Sequence, residues 1–382
     1  MKYDFIIAGS GCAGLSLLYH LLQEPTLQNK SILILDRDAK NSNDRTWCFW
    51  EKKPGTFESI VHAKWNTLEF LSTDYKAQLD LASYTYKMIQ GIDFYNFVIQ
   101  LAKKFPNVSF VTAPIISITS EIHTATVTTE ENTYTSTYIF NSTGLFNPKM
   151  TEENSLLQHF KGWVIETKEP VFDAEVGRLM DFSVAQDNGT TFMYVLPTSQ
   201  TTALIEYTLF SKKILEKEEY TQALEKYIQE DLQISDYTIA HEEFGVIPMS
   251  LAKFKKNPIK NVINIGTAGG FTKASTGYTF QFIQKDVAEI VANLKAGKNI
   301  NTDSSFKKQQ YAWYDRTLID VLLTEKLTGK EVFSMIFNKN EPEKILAFLA
   351  NESKFIDDIA IMSSLPIGAF LTSGVKQLLV KN

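Results

Sequence analysis

Two cysteines among 382 residues, Cys12 and Cys48, form neither a disulfide framework nor a zinc-ligand spacing, and the five histidines are scattered without a ligand pattern. No metal site is expected. Basic residues are not in excess: the formal net charge is −6, which argues against a nucleic-acid partner. No apolar run reaches the roughly 18 residues that would span a bilayer, so any membrane contact should be peripheral. The N-terminus runs directly into an apolar strand with no signal peptide ahead of it, and there is no internal repeat or low-complexity linker. These absences leave the expectation of a cytoplasmic enzyme in a reducing compartment, long enough for two domains plus a tail.

What the sequence does contain is a pair of glycine-rich loops, Gly9-Ser-Gly-Cys-Ala-Gly14 and Gly266-Thr-Ala-Gly-Gly270, each following an apolar strand. Tyr3 to Ala8 reads as a buried strand and Leu15 to Leu22 as the apolar start of a helix. Gly9 permits the tight turn, Gly11 lets backbone approach a pyrophosphate, and Gly14 allows close helix packing, with phosphate at the helix N-terminus. Ile32 to Leu35 is a second strand ending in Asp36, an acid placed to bind a ribose 2′-hydroxyl. Two later strands, Tyr138 to Asn141 before Ser142-Thr143-Gly144 and Asn261 to Ile265 before Gly266, have no counterpart in what a simple nicotinamide site requires. An extended FAD does require them, because its ribityl chain and second phosphate need a loop beside another helix N-terminus. That helix is expected over Gly277 to Ala296, with Phe280, Ile283, Val287, Ile290, Val291 and Leu294 at helical spacing and Gly297 ending it.

The fold class expected is α/β: a Rossmann-type FAD-binding domain of the flavoprotein hydroxylase kind, with an inserted β-sheet substrate domain and a C-terminal helical lobe. The FAD-binding domain is expected over 1–148 and 255–300, the insert over 149–254 and the lobe over 301–382. Within the insert, Thr190 to Leu196, Thr202 to Phe210 and Tyr237 to Pro248 look like strands, and Glu216 to Gln229 has a helical charge pattern. In the lobe, Asn340-Glu-Pro-Glu343 resembles a helix start.

Four further runs carry a family resemblance: Asp44-Arg-Thr-Trp-Cys-Phe-Trp-Glu51, Leu204-Ile-Glu-Tyr-Thr208, Gly245-Val-Ile-Pro-Met249 and Gly266-Thr-Ala-Gly-Gly-Phe-Thr-Lys-Ala-Ser-Thr-Gly-Tyr278. Together they resemble the lycopene cyclase family, in particular its bacterial β-cyclases. The likeness extends to Tyr86-Lys-Met-Ile89, Tyr314-Asp-Arg316 and Ile361-Met-Ser-Ser-Leu-Pro366, in collinear order over most of the chain. It implies a flavoprotein that closes the linear ends of lycopene into β-ionone rings by way of γ-carotene, giving β-carotene. The reaction is redox-neutral and uses reduced FAD, with NADPH or another donor supplying the electrons.

The resemblance also implies roles. Glu206 falls on the family's essential glutamate and is the expected proton donor, while the usual second acid of that motif is replaced by Tyr207. Strand alternation puts Leu204, Glu206 and Thr208 on one face and Ala203, Ile205 and Tyr207 on the other. Trp47, Phe49, Trp50, Tyr194 and Tyr207 are candidates for cation–π stabilisation of a carbocation, worth about 0.5–2 kcal/mol each. Arg45 is expected near the FAD phosphates or ribityl chain. Gly144, Gly266, Thr267, Gly269 and Gly270 are expected around the distal part of the cofactor, with Thr267 in place of a ribityl-binding acid. Lys273-Ala274 replaces the family's common His-Pro. A hydrocarbon substrate must come from a bilayer, and the tail offers Phe333, Ile336, Phe337 and Ile359 to Leu371 as an apolar surface, with Lys253, Lys255, Lys256 and Lys260 to meet anionic lipid on the inner face of the membrane. The competing readings are an FAD-dependent monooxygenase, a prenyl or carotenoid reductase of similar fold, and a non-catalytic carotenoid or flavin carrier.

Overall fold

The computed structural model describes residues 2–300 and 305–379. The strand Lys2–Ala8 lies between Ile32–Asp36 and Thr133–Asn141, parallel to both, with Val108–Thr112 outside the former and Val262–Asn264 parallel to the last residues of the latter. Phe5 to Ala8 and Ile32 to Leu35 are buried on both faces, as continuous apolar strands of a parallel sheet must be. A hairpin of Ser117–Ser120 and Ala125–Thr128 extends the sheet on its antiparallel side. Helix Cys12–Gln23 packs against helix Phe280–Lys295 in one apolar cluster, through Leu15, Leu18, Ile283, Val287 and Ile290.

The second of these helices starts at Phe280 rather than Gly277, because Gly277 is left-handed at φ +74° and Thr279 is not helical. It ends as its sequence suggests. Gly297 adopts φ +63°, its N–H bonds Leu294 O at 3.1 Å, and Lys298 N bonds Asn293 O at 2.9 Å, the paired bonds of a Schellman motif.

A second sheet runs in the order Thr238–Ser250, Ser155–Glu166, Thr202–Ser211, Thr190–Pro197, Val176–Asp181, Thr67–Ser72, Tyr75–Asp80. The last two strands come from before residue 149, so the sheet draws on both sides of the boundary the sequence suggested. One face carries Met193, Val195, Ile205, Tyr207 and Leu209 and is covered by helix Lys217–Lys226 and a π turn at Tyr227–Asp231. The opposite face, with Phe192, Tyr194, Leu196, Leu204 and Glu206, turns towards the first sheet. Between them sits a small sheet of Thr46–Glu51, Thr85–Gln90 and Ala63–Trp65, which carries the Arg-Thr-Trp run.

Beyond 305 the described chain is helical: Phe306–Leu323, Gly329–Lys339, Pro342–Leu349, Phe355–Ser363 and Ile367–Leu379. Residues 301–304 and 380–382 of the expected lobe lie outside the described residues. Ser305 caps the first helix, Thr328 and Glu331 form a capping box on the second, and Pro342 opens the third. These helices share a core with the second sheet. Phe337 stacks on Phe70 at 4.5 Å and Phe333 packs near Phe182 and Phe210. The apolar surface expected at Phe333, Ile336 and Phe337 is therefore interior, at 1%, 5% and 3% exposure. The other expected stretch, Ile359 to Leu371, is exposed at Ile359, Ile367 and Leu371, and Phe306, Phe355, Ile356, Val375, Leu378 and Leu379 are exposed outside the expected stretches. Lys253, Lys255 and Lys260 are exposed, whereas Lys256 is held by Asp286 at 2.5 Å. No described helix is long and apolar enough to cross a membrane.

Because the lobe completes the sheet's core, Phe337→Ala should cost about 3–5 kcal/mol of unfolding free energy in chemical denaturation. A loss below about 1 kcal/mol, typical of surface substitutions, would show that the lobe only rests on the sheet.

Candidate active site

A cleft of about 910 Å³ opens beyond the C-terminal ends of the parallel strands and continues to the inward face of the second sheet. That is the position where open α/β sheets bind ligands, and its volume lies near the top of the roughly 300–1,000 Å³ usual for small-molecule sites. Its first end is built by Gly9, Gly11 and Asp36. Gly9 has φ +101°, and a Cβ there would meet Ser142 Oγ at 2.2 Å, whereas a Cβ on Gly11 would point into open space. Asp36 Oδ2 accepts from Ser10 N at 2.6 Å and from its hydroxyl at 2.9 Å, which fixes the acid against the first loop. Gly14 stands behind this end, where a Cβ would lie 1.9 Å from Gly9 O.

The middle of the cleft carries Gly144, Gly266 and Thr267, and Thr267 Oγ1 shares a hydrogen bond with Thr272 Oγ1 at 3.0 Å. Gly269 and Gly270 are not in the lining. They shape its wall, since a Cβ on Gly269 would come 2.6 Å from Asn264 O and Gly270 closes the turn at φ +79°. Arg45 lines the cleft and donates to Phe244 O at 3.2 Å. It is not spent on the neighbouring acids: Asp44 accepts from the Tyr95 hydroxyl at 2.7 Å and Glu51 from Lys87 at 2.8 Å. Lys273, in the place of the family's histidine, turns away from the cleft and bonds Asp315 at 2.6 Å and Asn351 at 2.8 Å, tying this loop to the C-terminal helices.

At the far end stands Glu206, with its accessible surface facing the cleft. Thr208 Oγ1 donates to Glu206 Oε1 at 2.6 Å. Two strands away, on the same face, is Glu243, whose Oε2 accepts from Thr46 Oγ1 at 2.7 Å. Gly162 on the intervening strand pairs with both residues, and a Cβ there would meet Glu243 Cγ at 3.2 Å and Leu204 Cδ1 at 3.1 Å. The gap left by that missing side chain lets the two carboxyl groups face each other closely enough to interact electrostatically. Burial pushes the Glu206 pKa up to about 8; the Glu243 charge adds to the rise and the Thr208 bond opposes it. Burial raises Glu243 too, but the Thr46 hydroxyl, the charges of His241 and Arg45 and the Glu206 side chain favour its ionised form. Both carboxyls are thus pushed towards their neutral form, Glu206 with less around it to oppose the rise than Glu243.

Around the carboxyls the walls are aromatic and apolar. Tyr86, Phe160, Tyr194, Leu196, Leu204, Ile247 and Tyr278 line this end, and the phenols of Tyr86, Tyr194 and Tyr278 interact with one another, whereas Trp47 lines the cleft from the first domain's side, edge-on to Phe94 and Tyr95. Of the five aromatic candidates, Trp47 and Tyr194 reach the cleft. The other three do not. Phe49 stacks on Phe280 at 4.5 Å inside the first domain's core, and Trp50 donates its indole N–H to Leu346 O at 3.0 Å. Tyr207 points to the opposite face of its strand, against Tyr220.

Residues that sequence reasoning missed are Glu243, Gly162, Gln158 and Thr276. Gln158 Oε1 and Thr276 Oγ1 are buried in the cleft lining without a hydrogen-bond partner among the described residues, which marks a polar edge awaiting a ligand. Glu243 had a local signal, lying on the same side of its strand as Gly245 and Ile247. Its distance from Glu206 had none, because the register of three strands decides it.

The solved structures that share this architecture are distant in sequence. A flavoprotein/dehydrogenase from Cytophaga hutchinsonii has a TM-score of 0.65 at 11% identity, covering 96% of this chain and 100% of that one. A geranylgeranyl bacteriochlorophyll reductase-like protein from Thermoplasma acidophilum has a TM-score of 0.61 at 13% identity, covering 99% and 98%. Both show the fold. In sequence, a lycopene beta-cyclase of Paracoccus sp. (strain N81106 / MBIC 01143) is 31% identical over 144 residues. That alignment spans 36% of this chain and 36% of the relative, so the likeness covers about a third of that protein's length. The lycopene cyclase protein family model, by contrast, matches residues 4–374, and with the cleft and its motifs in collinear order the chain belongs to the lycopene cyclase family.

Proposed function

We propose that this chain is an FAD-dependent lycopene β-cyclase, which protonates the ends of lycopene and closes them into β-ionone rings by way of γ-carotene. The observation that carries this reading is a carboxyl group, Glu206, held protonated near neutral pH at the apolar end of a cleft whose other end is a dinucleotide cradle. The residues present fit FAD. Gly9 and Gly11 would admit the pyrophosphate, Asp36 the ribose, Gly144, Gly266, Thr267 and Arg45 the ribityl region, and the orphaned Gln158 and Thr276 the polar edge of the ring. When bound in its reduced form, with NADPH as the proposed electron source, the flavin supplies a fixed negative charge beside a developing cation.

The chain's own residues do the rest. Glu206 presents its proton to a trisubstituted alkene, a poor base that needs an undissociated acid. Tyr194 offers a π face to the cation. Leu196, Leu204 and Ile247 exclude water that would capture it and hold the hydrocarbon by apolar burial, at about 25 cal/mol per Å². Exposed Ile367, Leu371, Val375 and Leu378 recur at helical spacing on the last described helix, and with Phe355 and Ile356 they supply the proposed contact with the membrane that holds the substrate.

Purified protein incubated anaerobically with lycopene-loaded liposomes and photoreduced FAD, without nicotinamide, should yield cyclic pigments of unchanged mass. Unaltered lycopene there, with a mass-shifted product once NADPH and oxygen are supplied, would assign the chain to the monooxygenases or reductases. Glu206→Gln should lower the rate by about 10²–10⁴-fold while FAD still binds.

The raised carboxyl also links to stability. A folded pKa of about 8 against an ordinary 4.5 means that stability is full below the ordinary value and declines as pH rises towards 8. The melting temperature of Glu206→Gln relative to the parent should therefore climb between pH 5 and 9, and an unchanging difference would show that Glu206 ionises normally. Flotation with anionic liposomes tests the membrane face: Ile367→Asp with Leu371→Asp should abolish co-migration, and undiminished binding would move the contact elsewhere.

A further inference from the structure

The family motif that carries Glu206 usually supplies a second acid, and here that position is Tyr207, on the wrong face of its strand. A ring closed by protonation must still lose a proton, so a base is needed within the same apolar pocket. Arg45 is a cation, and the phenols of Tyr86, Tyr194 and Tyr278 and the Cys48 thiol are all held above their ordinary pKa by burial. Burial raises Glu243 as well, but from the much lower starting value of a carboxyl. It is 6% exposed, lines the cleft, and has a hydroxyl, a guanidinium and an imidazole arranged to favour its anion.

We propose that Glu243 is the catalytic base, taking the ring proton and returning it to Glu206 over Gly162. This deepens the cyclase reading and rests on it. The proton leaves Glu206 for the CH carbon of the terminal alkene, which leaves a tertiary cation on the dimethyl carbon. The π pair of the next trisubstituted alkene attacks that cation, and the new C–C bond closes the ring with a second tertiary cation inside it. Glu243 removes the proton from the ring carbon attached to the polyene, and the C–H electron pair becomes the ring double bond. Glu206 is then the anion and Glu243 the acid. Return of the proton from Glu243 to Glu206 across the space over Gly162 restores the starting state, with no net proton or electron consumed, and leaves the site ready for the second end of the chain.

The geometry explains why the pair straddles a glycine. Adjacent strands lie about 4.8 Å apart, so residues on alternate strands are separated by about 10 Å of backbone, and two glutamates meet only if nothing stands between them. A Cβ at Gly162 would already touch Leu204 and Glu243. The same arrangement sets the two carboxyls side by side in front of one end of the substrate, one protonated and one ionised.

The test compares Glu243→Gln, Glu243→Asp and parent enzyme in the anaerobic assay with photoreduced FAD, reading FAD affinity, rate and the pattern of ring isomers. Parent enzyme that makes no cyclic product refutes the cyclase reading itself, independently of the variants. With active parent, Glu243→Gln should bind FAD within about twofold of the parent and lose at least a hundredfold in formation of β rings. Residual turnover should shift towards rings that lose a different proton, or towards water-trapped alcohol. Removing the neighbouring charge should also move the alkaline limb of the pH–rate profile below about 8, since Glu243 helps to hold Glu206 protonated; Arg45, His241, Cys48, Tyr194 and Tyr278, which face the pair, are unchanged. Glu243→Asp keeps the charge but withdraws it by one methylene, and should retain FAD and the alkaline limb while losing at least tenfold in rate. If Glu243→Gln fails to fold, the aspartate variant decides. Parental rate and parental ring pattern in the variant that folds would overturn the proposal.

Discussion

Two carboxyl groups that cannot both ionise set the terms for the rest of this molecule. Side by side in an apolar pocket, Glu206 and Glu243 would repel strongly as a pair of anions, so one proton stays. Thr46, Arg45 and His241 gather around Glu243, while the Thr208 hydroxyl bonds Glu206. The asymmetry favours the acid form at Glu206 and opposes it at Glu243. Everything that places the pair matters to this: the register of the three strands, the absence of a side chain at Gly162, and the small sheet that brings Thr46 against Glu243.

The larger architecture serves the same end. The glycine loops open at the ends of parallel strands, where a dinucleotide-sized ligand has backbone to lie against, and the second sheet faces that opening with its apolar side. Strands Thr67–Ser72 and Tyr75–Asp80 join the second sheet from the chain that builds the first, so the two walls of the cleft are knitted together rather than hinged on a single linker. The C-terminal helices close the core behind the pocket through Phe333 and Phe337 and, by way of Lys273 with Asp315 and Asn351, brace the loop that frames its middle. Their outer side is left apolar at Ile367 and Leu371.

How much of this was legible in the sequence depended on the range of the interaction involved. The strand, turn and helix around Gly9, the acid ending the second strand and the glycine that stops helix Phe280–Lys295 are local signals, and the chain is built accordingly. The alternation along Leu204 to Thr208 put Glu206 and Tyr207 on opposite faces, yet Tyr207 stood among the aromatic candidates for the same site, and its packing against Tyr220 removes it. What did not show was anything settled by long-range register. Glu243 meets Glu206 only because Gly162 pairs with both, and no local pattern marks that coincidence. The burial of Phe333, Ile336 and Phe337 was equally hidden, because an apolar helix face looks the same in sequence whether a sheet or a membrane covers it.

The account's central claim is that Glu206 carries a proton at neutral pH while Glu243 does not. Infrared difference spectroscopy of the parent against Glu206→Gln measures this directly. The predicted result is a protonated-carboxyl stretch in the parent that is missing from the variant and titrates away near pH 8. A parent spectrum with no such band at neutral pH, or one that persists in Glu206→Gln, would contradict it.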